Sequence, residues 1–374
     1  MIFVIFSFLL FFTAIVENKI IFKISFFIIL FFFCMTYGFG YDWINYRYAY
    51  YHSLDPGFIP FFAEPGYFYL MKVGLFSGLS FGVFSSIVTL FIYTSIYFFC
   101  IKLENRCLAL FSLFSFLSIY ILNEWIRQGL AVAFILFSLI QLNKGNKGRF
   151  IILVLIAGLF HISALVSLSY YYMHGSSYGK IKNKKGFVFL TIFVFIVLFS
   201  LYNPALVNFI PIIGEKLFAY GSILEGAGVG FWEYVVTSKV VFAYFFMLCF
   251  IYFLYRQDKA DGSALLPMYM LFLSRLTQAL IRVGYYFVPV LVLSMDGRFI
   301  KERTGLKTSL NKLVYMMSVL MISCIPAWND AIWYGSQTHL NIFSNSNEIN
   351  IEISRKCKVI NKYNEHHTID TCRW

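Results

Sequence analysis

Residues 38–67, GFGYDWINYRYAYYHSLDPGFIPFFAEPGY, separate long apolar runs and concentrate Asp42, Arg47, Asp55 and Glu64 among tyrosines. The glycines and the Xaa-Pro steps at Asp55-Pro56 and Glu64-Pro65 exclude one continuous membrane helix through the stretch. In so apolar a chain, carboxylates beside an arginine have few places to sit outside lipid. Polar groups held at membrane depth usually mark a substrate path or a site. The stretch therefore reads as the core of a sizeable first extracytoplasmic loop, 38–82, and as one wall of a site.

The surrounding composition sets the class. The 374 residues are 60% hydrophobic and 13% charged, against roughly 25% charged in soluble domains, and the mean hydropathy is +0.74. A span needs about 20 apolar residues, so the chain reads as an all-α polytopic membrane protein of about 10–12 transmembrane helices, some broken or half-length. Candidate spans are 1–16, 20–37, 83–101, 107–122, 129–142, 150–173, 187–203, 236–255, 263–281, 284–295 and 313–328. Residues 1–334 form the transmembrane domain and 335–374 a polar, basic tail expected to be external and weakly ordered. The first apolar run lacks a small-residue cleavage site and reads as a retained span. The abundant aromatic residues read as lipid-facing and interfacial packing.

Charge gives an orientation. With 38–82 outside, the loops 17–23, 102–106, 143–149, 174–186, 256–262 and 296–312 fall inside and hold 18 of the 30 Lys and Arg residues. That asymmetry is the positive-inside pattern, and it accounts for the net charge of +12 without nucleic acid as a partner. It also requires 150–173 to rise and return, with His161 near the apex of two half-length helices. The alternative is a single tilted span with Lys180, Lys182, Lys184 and Lys185 outside. The remaining outside segment, 204–235, carries Glu215, Glu225 and Glu233 with a glycine-rich stretch and reads as a lid or re-entrant loop.

On this topology Asp42, Arg47, Glu64, Arg127, His161 and Arg282 share one membrane face. Arginine grips phosphate or carboxylate through a planar fork and stays charged in a dry setting, so the set fits an anionic ligand. Each residue also has a plainer reading. Arg127 and Arg282 are able to snorkel, or Arg282 to pair with a glutamate of 204–235. Arg47 is placed to neutralise Asp42, His161 to serve as a core histidine, and Glu64 to cap a helix starting near Tyr67. Asp55-Pro56-Gly57 reads as a turn. Five cysteines lie in or beside apolar runs and read as inert, whereas Cys357 and Cys372 are placed to pair if the tail faces an oxidising compartment. No metal-ligand spacing and no nucleotide, serine-hydrolase or zinc-hydrolase motif appears, so neither metal nor cofactor is expected. The reaction energy would come from an activated substrate.

The pieces YDWINYRYAY, EPGYFYL, WIRQGLAVAF, KGNKGRF leading into LFHISALV, and RVGYYF stand in order over roughly residues 35–295. In them the chain resembles the EpsG/Wzy-type family of O-antigen and exopolysaccharide polymerases. The resemblance implies a glycosyltransferase of the bacterial inner membrane with its site facing the periplasm. It would join undecaprenyl-pyrophosphate-linked oligosaccharide repeat units, alongside a flippase and a chain-length regulator of the same pathway. Carried over by motif, Arg127 and Arg282 would hold the pyrophosphate, and His161 or Asp42 would orient or deprotonate the acceptor hydroxyl, with Glu64 the second-choice base. Arg47 would position sugars, and Trp43 and the tyrosines, Tyr46 included, would stack on sugar faces. The competing readings are a glycosyltransferase using a polyprenyl-phosphate sugar, a flippase for the same lipid-linked oligosaccharide, and a sugar-modifying acyltransferase.

Overall fold

The computed structural model of the chain describes residues 2–58, 64–171, 188, 191–196, 199, 231–258, 264–276, 278–301, 306–363, 369 and 372. Among them, five helices are long and apolar enough to cross a membrane: Phe81–Cys100, Arg106–Glu124, Ile126–Asn143, Lys239–Gln257 and Leu280–Phe299. Shorter apolar helices lie at Ile2–Val16, Leu265–Leu276 and Leu310–Ser323. The protein is an all-α polytopic membrane protein. The basic loop 174–186 with its four lysines, and residues 204–230 with Glu215 and Glu225, lie outside the described residues. The chain divides into two compact units, Met1–Leu165 with Val319–Trp374, and Val166–Ser318.

In the first unit, α1 (Ile2–Val16) and α2 (Lys19–Met35) meet at a tight turn. Asn18 caps α2, its side chain accepting from Ile20 N–H at 2.7 Å. Glu17 points away and caps a different helix, α6 (Arg106–Leu117), accepting from the N–H groups of Cys107 and Leu108 at 2.7 and 3.1 Å. The first-turn donors of a helix have no partner within it, so a borrowed carboxylate meets a real need. Many of the phenylalanines expected to face lipid instead bind helices together. Phe33 stacks on Phe3 at 5.4 Å and on Tyr93 of α5 (Phe81–Cys100) at 5.6 Å. Phe8, Phe12, Phe27 and Phe31 are the outward-facing kind.

The stretch expected to be the first external loop is itself helical. After strand β1 (Thr36–Tyr37) come α3 (Asp42–Tyr51) and α4 (Pro65–Phe76), separated by turns through Asp55-Pro56-Gly57 and by residues 59–63, which lie outside the described set. Helix α6 continues as a π-helical turn, Ser118–Glu124, before α7 (Ile126–Asn143). Gly129 of α7 faces that turn, and a Cβ there would collide with the backbone carbonyl of Ile121. A turn with Gly145 at φ +79° then reverses the chain into α8 (Lys147–Phe160), with the Phe134 and Phe160 rings stacked at 5.3 Å.

The second unit contains α9 (Phe231–Thr237), α10 (Lys239–Asp258), α11 (Leu265–Leu273), α12 (Gln278–Gly284) and α13 (Val288–Lys301). Arg275, buried in a 3₁₀ turn after α11, has its guanidinium 4.2 and 4.4 Å from the Tyr244 and Tyr285 rings and donates to Tyr244 Oη at 2.9 Å. Helix α14 (Leu306–Ser323) leads back to the first unit.

The tail corrects an expectation. Its described residues are ordered: α15 (Asp330–Gln337) is followed by β2 (Leu340–Asn341), antiparallel to β1, and by α16 (Ser346–Tyr363). Cys357 and Cys372 form a disulfide. Composition alone made the tail look unable to bury a core. The cross-link and the burial of Glu352 and Lys356 on the inner face of α16 supply the order instead.

Candidate functional site

Arg127 sits in the first turn of α7, two residues after Trp125 breaks the helical path at φ −95°, ψ 62°. A helix begins at its positive end, so local electrostatics oppose an arginine there. Its partner comes from sequence far upstream: Arg127 Nη1 donates to Glu64 Oε2 in an ion pair. Glu64 occupies the cap position of α4, ahead of Pro65, yet its side chain makes no capping bond. The capping alternative is thus right about the position and wrong about the carboxylate. Glu64 is 2% exposed, and a charge so buried is tolerated only when paired.

The third member arrives through the α7–α8 hairpin. At 1.5 Å per residue, α7 runs about 27 Å away from Arg127 and α8 returns about 21 Å. The end of α8 is thereby returned to the Arg127 side. Helix α8 stops at Phe160; His161 is extended at φ −155°, ψ 115°, its N–H still bonded to Ala157 O at 3.0 Å, and residues Ile162–Ser169 form a 3₁₀ helix. The expected break at His161 is therefore present; the chain after it is described as far as residue 171, and residues 172–187 lie outside the described set. The buried imidazole stands between two groups. Nε2 is 3.9 Å from Glu64 Oε1, and Nδ1 is 2.6 Å from Ser163 Oγ. Ser163 escaped the sequence reading; the only cue was its place two residues after His161.

Helix α3 supplies the remaining wall. The Tyr46 ring lies 5.3 Å from the Arg127 guanidinium carbon, and its hydroxyl is 3.5 Å from Asp42 Oδ2. The Asp42 charge also reaches Arg127. Asp42, Tyr46, Glu64, Arg127 and His161 therefore form one cluster drawn from α3, α4, α7 and the end of α8. Arg47 does not neutralise Asp42: its guanidinium lies over the Tyr51 ring at 5.1 Å. Trp43 is buried, edge-on to Tyr37 at 6.0 Å. The Trp43 indole N–H and Arg47 Nε, one turn apart on α3, have no hydrogen-bond partner among the described residues. Arg282 belongs to the second unit, half-buried on α12.

A second buried carboxylate, Glu124, ends the π-helical turn just before Arg127 and accepts from Tyr41 N–H at 3.2 Å. The sequence marks Glu124 only as a polar interruption between apolar runs. Chemically, the cluster offers a fixed cation for an anionic leaving group, an imidazole held from both sides, and carboxylates able to stabilise its protonated form. Neither a curated protein nor a solved structure matches the chain. Among protein families, residues 19–339 match the EpsG family, a range that contains every residue of this cluster. The chain belongs to the EpsG family.

Proposed function

We propose that the protein is a membrane polysaccharide polymerase that joins undecaprenyl-pyrophosphate-linked oligosaccharide repeat units, with its site at the periplasmic face of the inner membrane. One observation carries this reading: Glu64, Arg127 and His161, from three separate family-like motifs, meet in a single buried cluster. In the proposed reaction the acceptor hydroxyl oxygen attacks the anomeric carbon of the donor glycan. The bond to the pyrophosphate oxygen breaks, and the hydroxyl proton passes to His161 Nε2. Glu64 then faces the imidazolium that forms, and Arg127 holds the charge developing on the departing pyrophosphate. Asp42, through Tyr46, orients the acceptor. The unsatisfied donors of Trp43 and Arg47 suit sugar or phosphate oxygens. Arg282 keeps its anion-holding role on the strength of its motif, RVGYYF.

The test is the glycan ladder of a deletion strain complemented with wild type, Arg127→Ala or His161→Ala at matched protein level. Deletion should leave a single repeat unit, wild type should restore the ladder, and Arg127→Ala should cut chain extension about 10²–10³-fold. Loss of even the single-unit band on deletion would refute the polymerase reading in favour of a flippase or a monosaccharide transferase.

A further inference from the structure

The family match ends at residue 339, and the ordered tail beyond it inserts a lysine behind the site. Lys356 is 1% exposed. Its ammonium donates to the carbonyls of Gly335 and Thr338, the latter at 3.0 Å, and lies 3.6 Å from Glu352, one turn earlier on α16. Glu352 also accepts from the Thr338 hydroxyl. The contacts continue inward. Gly335 O, which Lys356 grips, also accepts from Gly40 N–H at 3.3 Å. Tyr41 packs its ring against Gly335, donates its hydroxyl to Ala331 O at 2.5 Å, and sits with that ring 6.0 Å from the Lys356 ammonium. Tyr41 N–H is the group held by Glu124, and the Glu124 charge reaches Lys356.

Two stretches of the site start where this chain of contacts ends. Asp42 follows Tyr41 directly, and Arg127 lies less than one helical turn after Glu124. The Cys357–Cys372 disulfide adjoins Lys356, and Asn361 Nδ2 donates to Cys372 O at 3.0 Å. Pairing of β2 with β1 and an Ile342 N–H bond to Met35 O at 3.1 Å tie the other end of the tail to the base of the first loop.

We propose that β2 and α16, with the Cys357–Cys372 disulfide, form a brace in which Lys356 is a positioning residue, fixing Tyr41 and Glu124 and through them the registers of Asp42 and Arg127. The role assigned to Asp42 and Arg127 rests on the polymerase reading; the brace itself does not. Opening the disulfide with an added phosphine reductant and one water converts the S–S bond to two thiols, the water giving its oxygen to the phosphine oxide and its two hydrogens to the thiols. It should loosen the brace without changing any residue of the cluster.

The experiment is amide hydrogen exchange on the full-length protein in detergent, which needs no substrate and so succeeds or fails independently of the polymerase reading. Wild type is compared with Lys356→Met, with Lys356→Arg, and with wild type reduced by the phosphine. Peptides covering 38–51 and 118–130 should exchange about tenfold faster or more in Lys356→Met and in the reduced protein, the scale of a lost charge-assisted hydrogen bond. Lys356→Arg should restore protection, and the distant 143–149 turn should not change. Acceleration confined to 340–374, or an arginine variant no better than methionine, would overturn the proposal. The reduced wild type keeps the test decisive if Lys356→Met does not fold.

Discussion

At the scale of single residues, the central fact is that Glu64 and Arg127 are each costly where they stand and compatible only together. Glu64 is buried, and Arg127 faces the positive end of its own helix. Removing one partner leaves an uncompensated charge, which typically costs about 3–5 kcal/mol, whereas removing both is far cheaper. Glu64→Gln should therefore lower the thermal midpoint of the purified protein more than the double variant Glu64→Gln/Arg127→Gln does. Equal or additive losses in a thermal-shift series would show that the pair is not coupled. The sequence placed both residues on one membrane face but gave them separate roles, Glu64 as a cap or a second-choice base and Arg127 as a snorkelling or ligand-binding arginine. Nothing local in EPGYFYL or WIRQGLAVAF encodes their meeting, because the partners are 63 positions apart.

At the scale of elements, the α7–α8 hairpin does the assembling. Its turn was legible: KGNKGRF is glycine-punctuated and basic, and it separates apolar runs of helical length. The halt at His161 was legible from charge balance. Less legible was the π-helical turn Ser118–Glu124, which shifts the approach to α7 and aims Glu124 at Tyr41. A π turn depends on which wider backbone bonds win in a packed setting, and composition does not reveal that. The hairpin yields an orientation test. Because α7 places Arg127 and Gly145 at opposite ends, reporter fusions after Gly57 and after Gly145 should report opposite sides of the membrane, periplasmic and cytoplasmic respectively. The same side for both would break the hairpin geometry, and the two sides exchanged would put the cluster at the cytoplasmic face.

At the scale of the whole molecule, the tail adds a dependence on pH. Burial pushes the Lys356 ammonium down to about 8 from 10.5, with Glu352 and Glu124 opposing that shift and Arg355 reinforcing it. His339, stacked on Phe39 at 4.9 Å, is likewise lowered by burial and by Lys356. The Tyr41 phenol is raised by burial and by Glu124, so it stays neutral across this range. A lowered lysine means that the released tail binds more protons than the docked one between about 8 and 10.5, so docking strengthens as pH rises through that window. Below about 8 the cost of burying the charge is fully present, about 3 kcal/mol at 1.36 kcal/mol per pH unit. The His339 shift has the same sign at lower pH. Exchange of the Ser346–Tyr363 amides, corrected for intrinsic rates, should slow relative to the released chain between pH 7 and 9. Faster corrected exchange at pH 9 would contradict the assignment.

The sequence by itself determined the class of this protein, its apolar runs, the helical turns that interrupt them and the residues rich enough in chemistry to matter. Those properties follow from hydropathy, glycine and proline, and charge, all of which act over a few neighbouring positions. Only the tertiary structure decided which charges meet. It joined Glu64 to Arg127 rather than leaving it as a cap, set Ser163 behind His161, moved Arg47 onto Tyr51, and ordered the tail around a buried lysine. The physical reason is that in a low-dielectric interior a charge is stable only beside a partner. That partner is chosen by how helices pack in space, not by the residues next to it in the chain.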